Sequence, residues 1–149
     1  MLIRALTFAL CCVLSPWAAA LSMDPGKDWM TADSVHFRVH YIAEQRAQAE
    51  RVSRAAERAY PRITKALNWE PGGRTEIVLI DQFDLSNGYS TPLPFNAIGV
   101  FLAPPDDGQL LDNSDWMEML LLHEFTHTVH LDKVRGVPSV LRSIFGRGV

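Results

Sequence analysis

The chain has 149 residues, 48% hydrophobic and 21% charged, an ordinary globular balance with room for one domain around a real core. A formal charge of −3 leaves no electrostatic case for nucleic acid or an anionic membrane surface as a partner. Its two cysteines are Cys11 and Cys12, so the chain from residue 21 onward has no thiol with which to form a disulfide.

Residues 1–20 read as a secretory signal, with Arg4 as the positive start, an apolar run over 5–14, and Ala18, Ala19 and Ala20 as a small-residue cleavage site. The alternative is a membrane helix, but the run falls short of the roughly 20 residues needed to span and is broken by Pro16. A lipoprotein signal would put Leu10 or Cys11 before the cleaved bond, where a small residue is expected. The mature domain is then 21–149, exported and periplasmic, secreted or envelope-associated. Loss of Arg4 with the signal takes its charge to −4.

After an opening segment with Asp24, Asp28 and Asp33, residues 35–41 alternate apolar and polar, which predicts a half-buried strand. Residues 43–67 place Ala49, Val52, Ala56, Ala59, Ile63 and Leu67 at helical spacing, an amphipathic helix with a solvated charged face and a kink expected at Pro61. A turn at Pro71, Gly72 and Gly73 precedes 75–81, whose Ile77, Val78, Leu79 and Ile80 suit a strand covered on both faces, near the sheet centre. A loop with Asn87, Gly88, Pro92 and Pro94 leads to a short strand over 97–102, ended by Pro104 and Pro105. Proline on both sides predicts an edge strand.

Asp112, Asn113, Ser114 and Asp115 offer N-caps for a helix over 116–131 that ends before Gly136 and Pro138. Apolar residues on almost every side predict a buried central helix. Residues 139–147 read as the start of another element. The expected class is α+β: a twisted mixed sheet with an edge strand over that helix, and the 43–67 helix as backing.

Within the 116–131 helix, His123, Glu124, Phe125, Thr126 and His127 form the pattern H-E-x-x-H. Two histidines four residues apart share one helix face and can present imidazole nitrogens to one Zn²⁺, so His123 and His127 are the expected ligands. Glu124 points about 100° around the helix and can reach a water beside the ion as general base without ligating it. The chemistry expected is hydrolysis of a peptide bond in a peptide or protein substrate. His130 lies about 10 Å along the axis from His123, too far for all three to hold one ion, and suits a cleft-lining role or none. A purely structural zinc site would have no use for the glutamate. The metzincin continuation is excluded, because its glycine and third histidine positions hold His130 and Lys133.

What remains resembles the gluzincins, metallopeptidases whose third zinc ligand is a Glu on a following helix. No Glu follows Glu124 and the one later Asp is Asp132, so the resemblance implies a chain truncated before its third ligand, and such a fragment can be inactive. Asn87 to Thr91, Pro94, Ile98, Trp116, the stretch from His123 to Asp132, Gly136, and Phe145 to Arg147 look like the N-terminal peptidase-like domain of secreted bacterial proteins that continue into a TolB-like β-propeller. The zincin resemblance further implies substrate held in extended form on the edge strand, at Ile98, Gly99 and Val100. Gly99 there serves either close backbone approach or a bulge. Tyr89, His36 and His40 are expected to be packed or outward-facing, not cleft groups. The rival reading is a catalytically inactive peptidase-like binding module of the bacterial envelope.

Overall fold

The computed structural model describes residues 26–81, 87–92, 94–103 and 113–133. The expected signal at 1–20 and the element expected at 139–147 lie outside them. The described chain is α+β, with β1 (Trp29–Asp33), β2 (Phe37–Ile42), a 3-10 turn (Ala43–Gln45), α1 (Arg46–Leu67), β3 (Thr75–Ile80), β4 (Gly88–Thr91), β5 (Ala97–Phe101) and α2 (Asn113–Asp132). The five strands form one mixed sheet in the order β1-β2-β3-β5-β4. Its three inner strands run parallel and each outer strand pairs antiparallel with its neighbour.

Alternation in β2 buries Phe37, Val39 and Tyr41 on one face, and β3 and β5 add Ile77, Leu79, Ile98 and Val100 to that face. Both helices close over it. The small residues Ala49, Ala55, Ala56 and Ala59 are buried in α1, and Leu121, Phe125 and Val129 of α2 complete the cluster. α1 continues through Pro61 and stops at Asn68, whose left-handed backbone (φ 47°) ends the helix. The amides of Asn68 and Trp69 bond back to the carbonyls of Lys65 and Thr64.

Three expectations change. The segment before residue 35 contains a strand, β1, on the far edge. The strand at 97–102 is not an edge: β5 lies between β3 and β4, and Ile98 and Val100 are fully buried. Pro92 and Pro94 mark the hairpin connection, not the strand, so β5 keeps both rows of main-chain groups for pairing. The near edge is β4, a stretch its Asn-Gly signal had marked as loop. Finally, the described residues cover α2 on one side only, leaving Met119 51% and Leu131 47% exposed.

Candidate active site

α2 is pinned to α1 at both ends. Near its start, the Glu118 carboxylate accepts from Arg58 at 2.9 and 3.1 Å and from Arg62 at 3.5 Å. At its end Asp132, buried, accepts from the Trp69 indole at 3.0 Å and from the Asn96 amide at 3.2 Å. Lys133 then donates to the Leu67 carbonyl. A carboxylate at a helix C-terminus opposes the helix dipole, and these donors offset that cost. Between the pins, Phe125 packs edge-on to Phe37 at 5.1 Å and near-parallel to Tyr60 at 5.6 Å. The hydroxyls of Thr126 and Thr128 bond the carbonyls of Leu122 and Glu124 one turn back, so burying Thr128 leaves its hydroxyl partnered.

On the exposed face His123 and His127 stand one turn apart, rings edge-on with centroids 4.7 Å apart, and their Nε2 atoms are 3.1 Å from each other. Two imidazole nitrogens at that distance either share a proton or aim two lone pairs at one cation. A tetrahedral zinc with Zn–N bonds of about 2.0–2.1 Å separates its nitrogens by about 3.3–3.4 Å, so the pair is set close to a metal's bite. His130 is exposed and stands apart from them. Among the described residues no group of three or more His, Cys, Asp or Glu converges on one point.

Glu124 differs from its neighbours. It is 5% exposed, and among the described residues its carboxylate has no hydrogen-bond or ion-pair partner. Its side chain lies against β4: a Cβ built on Gly88 would stand 3.1 Å from Glu124 Cγ and 3.2 Å from Leu120 Cδ1. The near edge of the sheet thus runs directly beside Glu124.

Along that edge the main chain alternates. Phe101 donates to the Asn87 carbonyl, so Tyr89 and Thr91 face Gly99 and Ala97 in the hydrogen-bonded pairs. Gly88 and Ser90 then turn their main-chain groups away from the sheet, with the Gly88 N–H held by Asn87 Oδ1 at 2.8 Å. Tyr89 projects from the opposite face and fills the space a side chain at Gly99 would need, with Phe101 6.1 Å away. Burial raises its phenol above the usual range and keeps it neutral. Gly99 therefore accommodates a tyrosine ring, not a ligand.

His36 and His40 are likewise partnered. His40 lies between the Thr31 hydroxyl at 3.1 Å and the Glu76 carboxylate at 2.7 Å. His36 binds Glu57 through its ring nitrogen at 2.7 Å and its amide at 2.8 Å, and stacks on Tyr60 at 3.6 Å. The motif histidines and the glutamate thus come together at one edge of the fold, while Ile98, Gly99 and Val100 do not reach that edge. Gly88, Asn96 and Trp69, which fix the helix and strand around the site, carry no motif by which a sequence alone marks them. No family model matches this chain, and neither curated proteins nor solved structures give a match.

Proposed function

We propose that the chain carries the zinc-binding and catalytic half of a gluzincin-type peptidase site that hydrolyses peptide bonds outside the cytoplasm. The observation that carries the reading is the contrast on one helix turn. Two exposed imidazoles meet at 3.1 Å, beside a carboxylate that, among the described residues, is buried without a partner against an unpaired sheet edge. Burying such a carboxylate costs stability, and an unpaired one beside a cleft is the kind of group that reaction chemistry retains.

His123 and His127 would hold the ion through Nε2. Zinc bound there would supply Lewis-acid polarisation of the scissile carbonyl and acidify water. Glu124 takes one proton from the attacking water as its oxygen bonds to the carbonyl carbon, and delivers that proton to the nitrogen as the C–N bond breaks. Gly88 and Ser90 of β4 are the main-chain groups suited to align an extended peptide, replacing Ile98, Gly99 and Val100 in that role. A catalytic zinc takes three protein ligands, so the third, a Glu in the gluzincin arrangement, is assigned outside the described residues.

Metal analysis of the purified chain and of His127→Ala tests the reading, together with turnover of an unstructured protein substrate with and without chelator. One zinc per chain that disappears in His127→Ala, with any hydrolysis abolished by chelator and restored by zinc, is the expected result. Absence of His127-dependent zinc overturns it.

A further inference from the structure

The Glu124 carboxylate has no polar tie among the described residues, so packing alone orients its side chain. The atoms that do this lie on two elements. Leu120 stands one turn earlier on α2, and the main chain of β4 comes up against the glutamate stem at Gly88. A Cβ at residue 88 would meet Gly99 O at 3.0 Å, Glu124 Cγ at 3.1 Å and Leu120 Cδ1 at 3.2 Å, all inside ordinary van der Waals contact. The stem of Glu124 thus occupies the room that the missing side chain leaves. The same residue turns its main chain outward at the open edge.

We infer that Gly88 is a positioning residue, the absence of its side chain fixing how close the edge strand, and whatever lies along it, stands to the Glu124 carboxylate. This rests on Glu124 acting as the base. Whatever side chain replaced Gly88 would push the glutamate stem outward, or the strand away from α2, while leaving His123 and His127 on their exposed face untouched. A displacement of this kind at a reacting group is worth up to about a hundredfold in rate when it approaches 1 Å.

The test compares the zinc-loaded wild-type chain with Gly88→Ala and with the double variant Gly88→Ala/Leu120→Val. The double variant adds a methyl at one wall and removes a methylene at the other, so the packed volume is conserved. Five quantities are read: zinc per chain, melting temperature, kcat and KM on one peptide, and the ¹³C signals of the Glu124 side chain, assigned by their loss in Glu124→Gln. The expectation for Gly88→Ala is unchanged zinc content, a kcat about ten- to a hundredfold lower, and shifted Glu124 signals. The double variant relieves the contact with Leu120 and gives the Glu124 stem room to settle back, so it should regain part of the kcat and move the signals toward those of wild type.

Unshifted signals in Gly88→Ala, or a kcat that falls only in proportion to the folded fraction, overturn the inference. If the wild-type chain binds no His127-dependent zinc, the peptidase reading fails by itself, whereas bound zinc without turnover is what a chain lacking its third ligand gives. The Glu124 signals still decide whether Gly88 sets that side chain.

Discussion

The outer face of the sheet and the site on α2 handle charge in opposite ways. On the outer face Glu76 is held by Arg38 at 3.3 Å and His40 at 2.7 Å, while Asp33 accepts from Arg38 at 2.8 Å and Arg74 at 3.3 Å. The hydrogen bond from Arg38, above all, lowers the Asp33 carboxyl below its ordinary range. Every one of these carboxylates is partnered and none is deeply buried, the arrangement of groups that sort strands and keep a surface solvated. Glu124 is the reverse, deeply buried and, among the described residues, without a partner, next to His123 and one turn from His127. The difference separates carboxylates tied into the fold from one that the described residues leave untied, and the second kind is where reaction chemistry is to be sought.

The largest expected effect breaks that contrast directly. Glu124→Gln keeps the shape of the side chain and removes its basicity, so zinc content should hold while kcat falls by about 10²–10⁴, the usual contribution of a general base. Its melting temperature should not drop, because among the described residues the carboxylate has no hydrogen bond or ion pair to lose. Retained turnover would take the base assignment away from Glu124, and a large loss of stability would mean that the carboxylate has a structural partner after all. His123→Ala belongs to the same comparison and should lose the metal along with the rate.

A smaller effect sharpens the comparison from the apolar side. Phe125 is 1% exposed and packs between Phe37 and Tyr60, so Phe125→Ala should cost about 3–5 kcal/mol in chemical denaturation. It sits between Glu124 and the second histidine in sequence but faces the core. Zinc affinity measured on the folded fraction should therefore change far less than in His127→Ala. An equal loss of metal in both would show that the histidine pair depends on the core behind it.

How much of this could be read beforehand follows from where the information lies. The central position of β3 was legible because Ile77 to Ile80 is apolar without alternation, and α1 was legible from its alanine and valine spacing. The H-E-x-x-H pattern placed His123 and His127 side by side because helix geometry alone brings positions four apart together. The strand order was not legible. Prolines around residues 97–102 mark a connection as readily as an edge, and only pairing with β3 and β4 distinguishes the two. β4 was hidden because its four residues, Gly88 to Thr91, carry no apolar alternation: one is a glycine that gives its space to Glu124 and another a tyrosine that covers Gly99. The one-sided cover of α2 was hidden for a related reason. An apolar composition all round a helix says nothing about which of its faces a neighbour takes.

The smallest effect concerns a partnered carboxylate that is only partly buried, Glu57. Burial raises its pKa, but hydrogen bonds from the His36 ring and amide and from Ser34 outweigh this and leave the carboxyl below its ordinary 4.5. A carboxyl lowered in the folded state adds stability that is fully present above its unfolded value and is lost as the pH falls through the folded one. Glu57→Gln should accordingly be less stable than wild type at pH 5, by on the order of a few °C in melting temperature, with the two curves converging as acid is added. Curves that stay parallel down through this range would mean that the His36 contact holds equally well without the charge. Glu57 would then tie the start of β2 to α1 by hydrogen-bond geometry alone, its charge adding nothing.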